Sequence, residues 1–372
     1  MCAACALALA AVCAVRPSAS KVLACVDARV LSQLFCLMLT ILAFRSIRVL
    51  DALAAGVLKL CASVRGLFFA LTGLVFVISM AVTNDVALLT FVPFTFIVCR
   101  EANSGSVSPV VTPRMVAVLV VLETLAANLG SCITPMGNPQ NVFLFSFYNM
   151  APSAFFSATL LIGVPSIVLL CAAVLHETKN AGKIAVRLGN VSVESFPKCA
   201  VYAAVLTVNL LAVFRVVDYR AALAATVLAV SVCNARLFLR VDYGLLLTFV
   251  GFFIFTGVIS DIPAVSGWLR SILNKPESVY AAGILVSQVI SNVPAALLLS
   301  GFTRNAAELL LGVNVGGLGT LIASLASVIS YKLFRSEYEP AQNAGYFKIF
   351  TIYNVIFLII LSAAVWTFAF WL

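Results

Sequence analysis

Four short polar segments interrupt long apolar runs, and their residues are those that could bind an ion or a solute. In the first, Thr83-Asn84-Asp85, the aspartate is the only charged residue between positions 66 and 99. A carboxylate in hydrocarbon is costly, so an aspartate here indicates function. The end of one helix offers carbonyl groups to a cation, and the start of the next offers N–H groups to an anion. Either Asp85 titrates or lies beside a cation while Asn84 binds ion or substrate, or both residues only cap the next helix.

The second polar segment, residues 128–141, contains two glycines and two prolines that one continuous helix could not accommodate. Asn138 followed by Pro139 predicts a helix start, with the proline as its first helical residue. The N-terminus of that half-helix is a candidate anion site. Irregular backbone at membrane depth requires burial in protein or contact with water. The candidate binding residues in this segment are Asn128, Gly130, Ser131, Thr134, Gly137, Asn138 and Asn141.

The third and fourth segments, Ser291-Asn292 and residues 314–320, resemble the first two but carry no carboxylate. Val293 stands where the first segment has Asp85, so we expect the two half-sites to differ in what they bind. The candidate binding residues here are Ser291, Asn292, Asn314, Gly316, Gly317 and Thr320.

One further carboxylate, Glu123, lies in the apolar run that leads to the second segment. It either carries a proton, as Asp85 could, or reaches a headgroup or a basic partner. Eleven cysteines are scattered through apolar runs and the chain has one histidine, so we expect neither a metal site nor a cofactor. The single histidine likewise argues against an intramembrane protease and against an enzyme in general.

Composition places these residues in a membrane. The 372 residues are 63% hydrophobic and 10% charged, whereas soluble domains carry about 25% charged residues. The apolar runs are continuous rather than alternating, which predicts helices and not a barrel. The net charge of +9 comes from residues in short links between those runs. Such links are typical of topology signals, so we expect a lipid bilayer as partner and no nucleic acid.

We predict nine spans and two re-entrant helical hairpins, the hairpins covering about residues 64–99 and 279–303. On this count 15 of the 23 basic residues lie on one side of the membrane. The positive-inside rule then predicts an inner (plasma) membrane protein with a cytoplasmic N-terminus and an external C-terminus. The spans lie at about residues 2–15, 30–48, 115–150, 153–175, 199–214, 220–236, 244–260, 309–335 and 347–372.

The chain also contains a weak internal repeat. Asn84 and Asn292 match at an offset of 208, and Asn128 and Asn314 match at an offset of 186. An odd number of predicted crossings separates the copies, so the repeats should be inverted, each with a hairpin and a broken transmembrane helix, as in many secondary transporters. The predicted parts are residues 1–175 (first repeat, broken helix about 115–150), 176–219 (link and connecting span) and 220–372 (second repeat, broken helix about 309–335).

These motifs resemble the ion-transporter superfamily that includes arsenite exporters, citrate and divalent-anion/sodium symporters, and sodium/proton antiporters. Residues 83–93 resemble the hairpin of the arsenite-exporter branch, residues 128–141 an unwound-helix motif, and residues 287–294 a second hairpin. The resemblance implies two hairpins that enter from opposite faces, an elevator-like or rocking transport domain, and often a homodimer. In the sodium-coupled branch, Ser-Asn-Thr tips and unwound loops hold sodium and the substrate carboxylate. Here the tips read Thr-Asn-Asp and Ser-Asn-Val instead.

The leading hypothesis is a secondary active transporter of a small anion, with carboxylates among the candidates, coupled to sodium or protons. It is motivated by paired helix breaks without an intramembrane Arg or Lys clamp. A cation/proton antiporter or an arsenite-type metalloid exporter is the alternative that Asp85 favours. A membrane assembly subunit without transport activity is the alternative from another class.

Overall fold

The protein is almost entirely helical. The computed structural model describes residues 2–58, 61–103, 110–184, 192–338 and 340–371. Within these ranges there are eighteen α-helices, two short 3₁₀ turns and no β-strand. The α-helices are α1 Cys2–Val15, α2 Ala19–Ala24, α3 Ala28–Ser46, α4 Val49–Leu58, α5 Val64–Ser79, α6 Asn84–Asn103, α7 Pro113–Ser131, α8 Pro139–Phe147, α9 Pro152–Glu177, α10 Phe196–Val213, α11 Tyr219–Asn234, α12 Tyr243–Ile259, α13 Pro263–Ile272, α14 Pro276–Ile290, α15 Asn292–Ser300, α16 Ala306–Val315, α17 Leu325–Glu337 and α18 Pro340–Phe370.

Six described helical segments are long and apolar enough to cross a membrane, which confirms the predicted all-α polytopic fold. A seventh candidate is the pair α12 and α13, which is bent by 102°. The predicted span at 2–15 forms a helix of 14 residues, about 21 Å long at 1.5 Å per residue and shorter than the roughly 30 Å hydrocarbon core. The six segments are Ala28–Ser46, Pro113–Ser131, Pro152–Glu177, Phe196–Val213, Tyr219–Arg240 and Gly345–Phe370.

Both helix breaks predicted from the glycine- and proline-rich segments are confirmed. Helix α7 ends at Ser131 and α8 begins at Pro139, the position where a missing N–H costs nothing. Helix α16 ends at Val315, and α17 begins only at Leu325, after a 3₁₀ turn. Helices α5 and α6 pack as one hairpin and α14 and α15 as another. Helices α2, α4 and α13 had not been predicted.

The chain divides into two compact units, each assembled from separate stretches. We call them the first-hairpin unit and the second-hairpin unit. The first-hairpin unit comprises Phe44–Asn138, Thr159–Cys199 and Gly317–Leu372. The second-hairpin unit comprises Met1–Ala43, Pro139–Ala158 and Ala200–Gly316. The boundaries predicted for the sequence repeats, 1–175, 176–219 and 220–372, describe a different division and stay a prediction.

Each unit combines a hairpin with halves of both broken helices. In the first-hairpin unit α5 and α6 pack on α7, and α17 packs on α6 and α7. In the second-hairpin unit α14 and α15 pack on α16, and α8 packs on α15 and α16. Every unit therefore holds the first half of one broken helix and the second half of the other.

A glycine lets the broken helix approach its hairpin in each unit. A Cβ added at Gly130 of α7 would lie 2.2 Å from the carbonyl oxygen of Phe76 and 2.5 Å from Ser79 Oγ, both on α5. A Cβ added at Gly316 would lie 2.9 Å from Ile284 Cα and Ser287 Cβ, both on α14. Positions 76 and 284, and positions 79 and 287, are related by the offset of 208 that relates the hairpin tips. The same glycine contact therefore occurs in both units.

We expect Gly130→Ala to destabilise the protein by about 1–3 kcal/mol, because the methyl group would overlap backbone that cannot retreat. Gly73→Ala is the matched control, since a Cβ at Gly73 on α5 meets nothing within 4 Å. Thermal unfolding of the purified protein in detergent measures both. A Gly130→Ala variant that melts with the wild type would contradict the close contact.

Candidate functional site

In the first-hairpin unit, the predicted residues of the first two polar segments meet at the C-terminal part of α7. Asn84 opens α6, and its Nδ2 donates a hydrogen bond to Asn128 Oδ1 at 2.9 Å. Ser324, just before α17, donates from Oγ to the same oxygen at 2.9 Å. Asn128 is 4% exposed, and its Nδ2 has no hydrogen-bond partner among the described residues. A buried amide donor therefore remains available at the helix break.

The irregular loop between α7 and α8 is buried and held to the hairpin tip. Thr134 Oγ1 donates to the carbonyl oxygen of Met80, which lies just after α5. Asn138 Nδ2 donates to Ser131 Oγ at 3.4 Å, and Thr159 Oγ1 donates to the carbonyl oxygen of Ile133 at 3.2 Å. The bond from Thr159 satisfies a carbonyl group of the non-helical backbone, which lipid could not do, and the bond from Thr134 satisfies a carbonyl group at the end of α5.

The first hairpin tip places a carboxylate at the start of a helix. Asn84 is the first residue of α6, and its Oδ1 accepts a hydrogen bond from the backbone N–H of Asp85 at 3.0 Å. Asn84 is buried, while Thr83 and Asp85 are partly exposed. Asn84 thus bonds to the backbone of its own helix and to Asn128, and both interpretations of this tip stay predictions.

In the second-hairpin unit the equivalent amides form a different network. Asn314 of α16 donates from Nδ2 to Asn141 Oδ1 of α8 at 2.8 Å. Gln140 Nε2 donates to Asn314 Oδ1 at 3.4 Å, so two side chains of α8 hold this asparagine. Gln288 Nε2 of α14 donates to the carbonyl oxygen of Gly316 at 2.8 Å, at the point where α16 ends. Side-chain amides thus hold the end of α16, where the break begins.

The second hairpin tip is a single residue with strained backbone. Ser291 has φ 76° and ψ 154°, a conformation that is rare for any residue with a side chain. Asn292 Oδ1 accepts from the backbone N–H of Val293 at 2.9 Å, the bond that Asn84 and Asp85 make in the first tip. Strain of this kind is often found at functional sites.

Three residues of the polar networks were not among the predicted binding residues. Gln140 and Gln288 lie within the predicted motifs 128–141 and 287–294, and Ser324 resembled an ordinary loop residue in the sequence. Thr320, predicted from its match to Thr134, is exposed. Gly137 fits the loop tightly, because a Cβ there would lie 2.3 Å from the carbonyl oxygen of Ser131. Gly317 is buried at the start of its segment of the first-hairpin unit.

These features together define a multi-pass α-helical membrane protein in which each compact unit contains polar ends of broken helices. A family model described as citrate transporter matches residues 1–309. The chain therefore belongs to the citrate transporter family and is a transporter.

Individual relatives agree with this assignment. An uncharacterized transporter of Methanocaldococcus jannaschii is 30% identical over 344 residues, 92% of this chain and 91% of that protein. The inner membrane protein YbiR of Escherichia coli is 29% identical over 258 residues, 69% of this chain and 66% of that protein. The P protein of Homo sapiens is 28% identical over 176 residues, 46% of this chain and 20% of that protein.

We expect Asn128→Ala to destabilise the protein more than Ser324→Ala does. The first change leaves two donors, Asn84 Nδ2 and Ser324 Oγ, without their acceptor, and each unsatisfied buried group costs about 1–3 kcal/mol. The second change removes one donor and leaves the bond from Asn84 intact. Thermal unfolding in detergent compares them, and equal melting temperatures would show that Asn128 is not the shared acceptor.

Proposed function

We propose that this transporter carries out secondary active transport of a small anion, with a carboxylate as the favoured class, coupled to sodium or protons. The observation that carries the proposal is the buried Asn128 Nδ2, a donor with no hydrogen-bond partner among the described residues, at the end of α7. An anionic oxygen is a suitable acceptor for it. The family description, citrate transporter, supports the same substrate class.

The helix termini favour the same interpretation. Helices α6, α8 and α15 all begin at polar breaks, and helix N-termini attract anions. The side chains gathered there are amides and hydroxyls rather than lysines or arginines. Neutral donors orient a carboxylate without neutralising it, so a coupling cation would offset its charge. The carbonyl groups at the ends of α5 and α7 lie at the negative ends of those helices and suit that cation.

Uptake into proteoliposomes tests the site. We expect Asn84→Ala and Asn292→Ala each to lose most uptake while remaining folded, because each removes an amide at a hairpin tip. Asn274→Ala is the matched control, since that asparagine is exposed before α14. Wild-type uptake in both tip variants would refute the site assignment.

Cation/proton antiport or metalloid export is the second candidate, and Asp85 favours it. This carboxylate lies in the first turn of α6 and is partly exposed at the hairpin tip, where a cation could reach it. The equivalent position of the second tip holds Val293. Under this alternative, Asp85→Asn abolishes proton coupling of transport, whereas a carboxylate transporter that uses Asp85 only as a cap keeps it.

One ligand screen separates the two candidates. Thermal shift measurements in detergent would compare carboxylates such as citrate with arsenite, sodium and lithium at several pH values. Stabilisation by a carboxylate supports anion transport, and stabilisation by arsenite or by a cation alone supports the alternative. Family membership favours either over an assembly subunit without transport activity.

We further propose that the two repeats are inverted, that the hairpins are re-entrant, and that the protein lies in the inner (plasma) membrane as a homodimer. The concentration of basic residues in one set of links supports a cytoplasmic N-terminus and an external C-terminus. The shared glycine contacts of Gly130 and Gly316 support the repeat. Reporter fusions at each terminus test the orientation.

A further inference from the structure

A carboxyl group deep in the first-hairpin unit has an environment that suits a bound proton. Glu123 lies in α7 and is 0% exposed. Its Oε1 accepts a hydrogen bond from Thr95 Oγ1 of α6 at 2.6 Å. Its Oε2 has no hydrogen-bond partner in the part of the chain that the structure describes. A single hydroxyl donor offsets only a small part of the free-energy cost of removing a negative charge from water.

No basic side chain of the described residues forms an ion pair with Glu123. The ion pairs among the described residues all involve carboxylates other than Glu123. Helices α5, α6, α17 and α18 pack on α7. The titratable groups from these helices that interact with Glu123 are the Cys99 thiol of α6 and the Tyr346 hydroxyl of α18. Both are neutral weak acids, so an ionised Glu123 in this conformation would be a buried charge without a counter-ion.

A row of buried hydroxyl groups leads from Asn128 towards Glu123. Ser324, Ser327 and Ser330 are spaced three residues apart and lie on one face of α17 and its first turn. Ser324 donates to Asn128 Oδ1, and Ser330 Oγ accepts from the Tyr346 hydroxyl at 3.1 Å. Ser327 lies between them, and its Oγ has no hydrogen-bond partner among the described residues. The row therefore extends from the amide cluster to Ser330, which bonds to the tyrosine beside Glu123.

We propose that Glu123 is the proton-binding site that couples this transporter to a proton gradient, and that Ser327 and its neighbours connect this site to Asn128. The inference rests on the proposed transport function with the proton as coupling ion, and it assigns the residue that binds this proton. In the conformation described, the carboxyl is protonated and sealed from water. Release of the proton requires a second conformation in which water reaches Oε2.

Glutamine copies the shape of the protonated side chain but cannot release a proton, so Glu123→Gln is the decisive variant. In proteoliposomes we expect it to lose citrate accumulation driven by a pH gradient and to keep citrate exchange across the membrane at constant pH. Glu101→Gln is the matched control, because that carboxylate is exposed near the end of α6. Gradient-driven accumulation by Glu123→Gln at the wild-type level would overturn the proposal.

A second measurement decides the question without any substrate. A carboxyl that is protonated when buried loses stability as the pH rises and the proton is withdrawn. We therefore expect the melting temperature of the wild type in detergent to fall between mildly acidic and alkaline pH more than that of Glu123→Gln. If the wild type does not transport citrate, the substrate proposal fails, and this titration still tests the proton site. Identical pH profiles of the two proteins would overturn the proton site.

Two further variants separate proton transfer from packing. Thr95→Val removes the hydroxyl donor to Glu123, and we expect the pH profile of transport to move to more alkaline pH because the ionised form loses stabilisation. Thr95→Ser restores the donor and should restore the profile. Ser327→Ala should slow gradient-driven uptake and leave exchange unchanged, whereas Ser336→Ala, at an exposed position of α17, should change neither. An unchanged profile in Thr95→Val, or unimpaired uptake in Ser327→Ala, would contradict the assigned role.

Discussion

A bilayer offers no water to unpaired backbone groups, and this constraint governs both helix breaks. Residues 132–138 leave the helical path, so their polar groups need partners from the protein. The carbonyl oxygen of Met80 in the hairpin supplies one by accepting from the Thr134 hydroxyl, and the Thr159 hydroxyl supplies another by donating to the carbonyl oxygen of Ile133. The end of the first hairpin arm therefore also has a structural role, because it accepts a hydrogen bond from the unwound loop.

Close packing brings the hydrogen-bonding groups of the hairpins and of the broken helices together. Gly130 and Gly316 bring each broken helix against a hairpin arm at a distance that no side chain would permit. Only at such short range can one asparagine accept from two elements, as Asn128 does from Asn84 and Ser324. The second-hairpin unit shows the same approach with a different outcome, since Asn314 bonds to the α8 amides of Gln140 and Asn141. The two units thus share the same glycine contact but differ in the polar side chains that bond to the asparagine of the broken helix. This difference is in keeping with the single aspartate at the first tip.

Local chemistry made the elements predictable, and long-range packing made their partners unpredictable. Proline and glycine residues predicted the helix breaks near Ser131 and Val315, because the backbone preferences of these residues act within a few positions of the chain. Which half of each broken helix belongs to which compact unit depends on contacts between residues that are far apart in the sequence. Gln140 lies within the predicted segment 128–141 but was not named as a binding residue, and Ser324 was missed because a serine next to an apolar run has no distinctive pattern until its partner is known. Asn128 was predicted as a site residue, but its role as a shared acceptor depends on α17.

The separation of Asn128 from Ser324 also has a consequence for biosynthesis. The two residues are 196 positions apart, so at about 5–20 residues per second the donor is made roughly 10–40 s after its acceptor. Tyr346, the neighbour of Glu123, emerges later still. Throughout that interval α7 carries a glutamate and an asparagine whose late partners do not yet exist. A ribosome that stopped before α17 would leave a membrane segment with exposed polarity, a feature that quality-control proteases could recognise.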